Sequence, residues 1–190
     1  ENFNFHLPSP IKNFQWKDIY YNQTNNYKNF KYNNLNQTVF KSKKLTKYSI
    51  NNFILFEKNN LILSDHKGNI VIFGIDKNKI IFKFNFYKKN YKKIKKKLNF
   101  IVDENIIYVA DNLGYLYAYN YIIDKVLWAK NYKIPFRSNI KILNNKIMVS
   151  NQNNSLFFFN KKNGDLLKLI PTEETIIKNG QITAPFFYDT

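Results

Sequence analysis

One short pattern occurs three times along this 190-residue chain, and it restricts the possible folds more than any other feature. "DHKGNIVIFG" (Asp65 to Gly74) returns 46 residues later as "DNLGYLYAYN" (Asp111 to Asn120), and 40 residues after that as "NQNNSLFFFN" (Asn151 to Asn160). A repeat of this period marks an array of like units, none of which can bury its apolar surface alone. Each copy is a turn that leads into a strand. Asp65, Asp111 and Asn151 open the turn, where a short side-chain acceptor bonds the backbone N–H two residues on. Gly68, Gly114 and Asn154 close it, at a position that needs a left-handed backbone.

Around these turns the units extend over Asn60 to Phe84, Ile106 to Lys130 and Lys146 to Ile170. A second turn carries Asn78, Asp124 or Gly164, and a further strand follows at Lys79 to Phe82, Lys125 to Trp128 or Asp165 to Lys168. Candidates for a fourth strand precede each unit at Phe53 to Glu57, Lys97 to Val102 and Ser138 to Leu143. Strands such as Ile106 to Ala110 and Leu156 to Phe159 are apolar at nearly every position, so both of their faces must be covered. Identical sheets on either side do this, and stacking them radially makes a β-propeller of four-stranded antiparallel blades. A sandwich also suits the turn spacing but gives no reason for a whole-unit period.

The sequence thus predicts an all-β, partial propeller of about three to four blades. Residues 1–52 form an extended N-terminal arm and the start of the propeller, and blades occupy 53–96, 97–137 and 138–176, with the start of another at 177–190, where Ile182 to Tyr188 is the candidate strand. Such an open arc would leave both end faces uncovered.

Composition narrows the function. The chain has no cysteine, which excludes disulfides, thiolate metal sites and cysteine nucleophiles. The net charge of +17 suggests an anionic partner, but it comes from 29 Lys and a single Arg, alongside 32 Asn and 24 Ile. Those are residues with A/T-rich codons, and Arg, the usual bidentate reader of guanine and phosphate, is nearly absent. Nucleic acid is therefore not the expected partner. His6 and His66 stand isolated, so no metal site is expected, and no catalytic order of residues or phosphate-cradling loop occurs.

"GYLYAYNYIIDKVLW" (Gly114 to Trp128) resembles the repeat of the pyrroloquinoline-quinone-like propellers, with Gly114, Leu116, Tyr117, Ala118, Lys125, Leu127 and Trp128 at matching positions. Asn120 and Asp124 depart from that pattern, and the resemblance spans roughly Phe53 to Ile170. Members carry about eight blades, which implies that this is an N-terminal portion of a longer protein. One branch comprises quinoprotein dehydrogenases, whose cofactor chemistry needs calcium ligands and typically a cysteine pair. The other comprises the BamB-type lipoproteins of outer-membrane β-barrel assembly, which have no catalytic activity. "IPFRSNIKILNNKIMVS" (Ile134 to Ser150) is similar to the loop and strand with which that branch contacts the barrel-inserting subunit.

The resemblance implies a scaffold that is not an enzyme and holds no cofactor. It places Ile134, Phe136 and Arg137 at the partner surface, on the periplasmic side of the bacterial outer membrane, with any membrane attachment through a lipid anchor outside this chain. Arg137 is the fork donor there and Phe136 the apolar anchor, the usual make-up of an interface hot spot. The alternatives are a basic module for nucleic acid or an anionic surface, and a remnant of a quinone-dependent dehydrogenase. Trp128 reads as a packing residue between blades, Trp16 as the anchor of a segment that joins or completes a blade. "YKKNYKKIKKKL" (Tyr87 to Leu98) reads as an inter-blade loop, solvated or facing an acidic partner or lipid.

Overall fold

The computed structural model describes residues 7, 9–10, 12, 15–21, 23–26, 29–31, 38, 40–87, 89–171 and 185–186. Three four-stranded antiparallel sheets follow one another along the chain. The first contains β1 (Ile50–Glu57), β2 (Asn60–Asp65), β3 (Asn69–Gly74) and β4 (Lys79–Asn85). The second contains β5 (Leu98–Asp103), β6 (Ile106–Asp111), β7 (Tyr115–Asn120) and β8 (Lys125–Asn131). The third contains β9 (Lys141–Leu143), β10 (Lys146–Ser150), β11 (Leu156–Asn160) and β12 (Leu166–Ile170). Strands pair in sequence order in every sheet, and each sheet breaks register at the same place, at Ile72/Phe73, Ala118/Tyr119 and Phe158/Phe159. The expected strand Ile182 to Tyr188 lies, apart from Pro185 and Phe186, outside the described residues, as does His6.

The turns behave as their residues dictate. Asp65 Oδ1 accepts from Lys67 N–H at 2.9 Å, Asp111 Oδ1 from Leu113 N–H at 2.8 Å, and Asn151 Oδ1 from Asn153 N–H at 2.9 Å. Gly68, Gly114 and Asn154 close these turns at φ +83°, +85° and +59°. Two strands begin three residues away from their expected starts. β1 starts at Ile50, and β9 is cut to three residues because the N–H groups of Arg137 and Ser138 both turn to the Ser150 carbonyl, at 3.1 and 3.4 Å.

Burial alternates residue by residue between two cores. In β6, Ile107 and Val109 pack into a core shared with the first blade, whereas Tyr108 and Ala110 pack into one shared with the third. A strand with both faces buried must be apolar throughout, which is why β6 reads IIYVA. Aromatic rings close the seams: Phe84 stacks on Tyr119 at 3.9 Å and Phe86 on Tyr117 at 4.3 Å. Trp128 spans the next seam, its Nε1–H donating to the Lys161 carbonyl at 3.2 Å and its ring lying against Gly164.

The end faces differ from the open-arc expectation. On the first blade's far side Leu63, Val71 and Phe73 are buried, with Phe40 of the arm 5.5 Å from the Phe73 ring. Thr46 Oγ1 donates to Asp65 Oδ2 at 2.7 Å, so the arm docks on that blade. On the third blade's far side Met148 is buried and Phe158 half-buried, while its outermost strand, β12, leaves Leu166, Leu167, Leu169 and Ile170 exposed.

Candidate functional site

The antiparallel order puts all β2–β3-type turns and all blade-to-blade connections on one rim of the arc. The candidate partner segment lies there, between the second and third blades. It is held from both sides by main-chain bonds: Phe136 N–H donates to the Asp111 carbonyl at 2.9 Å, Arg137 N–H to Ser150 at 3.1 Å, and Gln152 N–H to the Pro135 carbonyl at 2.7 Å. Ser138 Oγ accepts from Ser150 N–H at 2.7 Å. Gly114 lets the segment lie this close, since a Cβ there would sit 2.9 Å from the backbone nitrogens of Lys133 and Ile134. A loop tied at four points is already in its final shape, which lowers the ordering cost of binding.

The three expected contact residues are placed differently from one another. Arg137 is exposed and Ile134 half-buried. Phe136 is only 2% exposed and belongs to the core between blades, edge-on to Phe157 and Phe159 and 6.0 Å from Tyr132. Its ring is therefore committed to the fold rather than offered as an apolar anchor. It fixes the backbone from which Arg137 projects.

Behind this segment lies Asp111, fully buried. Its Oδ1 accepts from Leu113 and Tyr115 N–H groups, and its Oδ2 from the Tyr87 hydroxyl at 2.5 Å. Burial raises the Asp111 pKa, and the Tyr87 hydroxyl and backbone N–H groups oppose that rise. Asp65 is bonded in the same way by its own turn and by Asn69 and Thr46. Both carboxylates hold turns. His66 donates its backbone N–H to Ser49 in the same rim.

The opposite rim carries a contact that no sequence pattern announced. Three consecutive residues cross the innermost strands of all three blades. Trp16 pairs with Phe56 of β1 through both main-chain bonds, at 2.7 and 2.8 Å. The Lys17 carbonyl accepts from Val102 N–H of β5 at 3.1 Å, and the Lys17 ammonium lies 3.4 Å from Glu57. Asp18 Oδ2 meets Lys141 Nζ of β9 at 2.7 Å, with both side chains buried. Trp16 thus joins the first blade's inner edge, as expected. Asp18 and Lys141 were missed because 123 residues separate them and either alone reads as an ordinary charged residue.

No histidine, cysteine or carboxylate cluster able to hold a metal exists among the described residues, nor does any described helix suffice to cross a membrane. No protein-family profile and no curated protein matches the sequence. Solved structures do match. The computationally designed Ika4 protein superposes with a TM-score of 0.64 at 13% identity, over 82% of this chain and 89% of that one. Quinohemoprotein alcohol dehydrogenase from Comamonas testosteroni gives 0.67 at 9% identity, over 83% of this chain and 27% of that one. BamB from Moraxella catarrhalis gives 0.51 at 12% identity, over 66% and 35%. The chain spans about a third of these natural proteins' lengths, and the likeness is one of fold, a β-propeller of four-stranded blades.

Proposed function

We propose that this chain is a protein-binding scaffold with no chemistry of its own, a BamB-like component of outer-membrane β-barrel assembly that docks on the barrel-inserting subunit from the periplasmic side. The observation that carries this reading is the disposition of the 134–138 segment. It is rigidly pinned between two blades while it presents the sole Arg of the chain to solvent. The buried carboxylates support the reading too, since Asp65 and Asp111 are occupied by turn N–H groups and hydroxyls. A planar guanidinium on a rigid loop suits recognition of a carboxylate on a partner domain.

The test is binding of the full chain to the soluble periplasmic domains of a barrel-inserting subunit, by surface plasmon resonance. Wild type should bind, and Arg137→Glu should weaken binding at least about tenfold by replacing attraction with repulsion, with circular dichroism showing the blades still folded. Absence of binding by the wild type, or equal binding by the variant, would refute the reading.

A further inference from the structure

The connection from β4 to β5 builds a basic cleft that the scaffold role does not use. Lys67 of the Asp65 turn and Lys89, Lys92 and Lys96 of the connection line a cavity of about 390 Å³, walled by Tyr48 and Tyr87. Lys88 of this run lies outside the described residues. Three of these lysines are exposed, as in any solvated charge run. Lys96 is not: it is 2% exposed.

Its ammonium donates to the Tyr91 carbonyl and stands 5.4 Å from the centre of the Tyr87 ring. Among the described residues no carboxylate forms an ion pair with it. The two acids behind the cleft are engaged elsewhere, Asp111 by Tyr87 and two backbone N–H groups, Asp65 by Thr46, Asn69 and Lys67 N–H. Burial, then repulsion from Lys67, pushes the Lys96 pKa below its usual value, against the pull of Asp111. Lys67, though exposed, reaches across the opening and donates to the Lys92 carbonyl at 3.1 Å. The fold therefore gathers four cations around one opening and buries one of them without a matching anion. A buried charge short of its countercharge is stabilised by whatever supplies that charge.

We propose that this cleft binds a phosphate dianion, either as a free phosphate monoester or as the monoester headgroup of an anionic lipid. Lysine suits this as a point charge with three donors, and a tetrahedral dianion offers an acceptor to several ammonium groups at once. Lys96 forms the floor and Lys89 and Lys92 the mouth. The site is independent of the Arg137 segment, so either reading can fail without the other.

Calorimetric titration of the full chain with inorganic phosphate near physiological salt, where diffuse attraction is largely screened, tests the site. Saturable one-to-one binding is expected. Lys89→Gln/Lys92→Gln should lose at least about tenfold in affinity, while Lys77→Gln/Lys125→Gln, an equal charge change at exposed positions on the other rim, should lose less than about twofold. Lys96→Met should keep or raise Tm yet lose phosphate binding, which a purely structural lysine would not do. Vesicles of phosphatidylcholine with and without phosphatidic acid separate the sources: phosphate-competed capture by the acidic vesicles assigns the lipid headgroup, and phosphate binding without vesicle capture assigns the free monoester. Binding to neither probe, equal losses in the two double variants, or unchanged affinity in Lys96→Met would overturn the site.

Discussion

Removing one member of the Asp18–Lys141 pair should cost far more than removing both. Burial raises the Asp18 pKa above its ordinary 3.8 and lowers that of Lys141 below 10.5, each against the pull of the other, so desolvation outweighs attraction for both groups. Lys141→Met strands the carboxylate. Its cheapest escape is to take up a proton, which at pH 7 costs a group of ordinary pKa 3.8 about 4 kcal/mol, at about 1.4 kcal/mol per pH unit. Asp18→Leu strands the ammonium, and shedding a proton from 10.5 at pH 7 costs about 5 kcal/mol. Both figures are ceilings, and they agree with the roughly 3–5 kcal/mol measured when buried pairs are broken. The double variant strands neither charge, and although the Tyr20 N–H, bonded to Asp18 at 2.8 Å, must then find water, its cost should fall well below that of either single variant.

The pH dependence has opposite signs in the two single variants. With Lys141 gone the folded state holds a proton that the unfolded state has released, so acid favours folding. The deficit should shrink by up to about 1.4 kcal/mol per unit between pH 7 and 5. With Asp18 gone the folded state has lost a proton that the unfolded state keeps, and the deficit should shrink as pH rises towards 9. Urea unfolding followed by tryptophan fluorescence at pH 5, 7 and 9 reads both. Single-variant costs below about 1 kcal/mol, or a double variant costing the sum of the two, would refute the seating of residues 16–18 across the inner strands.

Tyr87→Phe removes the hydroxyl that Asp111 Oδ2 accepts from. It should cost about 1–3 kcal/mol at pH 7 and less at pH 5, because the Asp111 pKa, already raised by burial, rises further and folding then takes up a proton; denaturant titration at the two pH values checks this. Gly114→Ala should destabilise by more than the roughly 1–2 kcal/mol of a left-handed alanine, since its Cβ would also press on the chain at Lys133 and Ile134; thermal melts read the loss. If the Arg137 segment docks on a partner, Gly114→Ala should also weaken capture.

What the sequence determined by itself is the local chemistry and its recurrence. Turn positions 65, 111 and 151 needed acceptors, positions 68, 114 and 154 needed left-handed backbones, and strands apolar at every position needed two covers. These demands act over two to four residues and repeat, so residue types and spacing disclose both the blades and their stacking. Tertiary structure alone decided which side chains of the 134–137 segment face outward. Phe136 and Arg137 are neighbours in sequence, yet strand packing buries the first and leaves the second in solvent. It also set residues 16–18 against three inner strands, joined Asp18 to Lys141, and buried Lys96 while leaving its neighbours Lys95 and Lys97 exposed. Charged residues carry no periodic signature of burial, and the energy of a buried charge depends on groups that only the folded chain brings within reach.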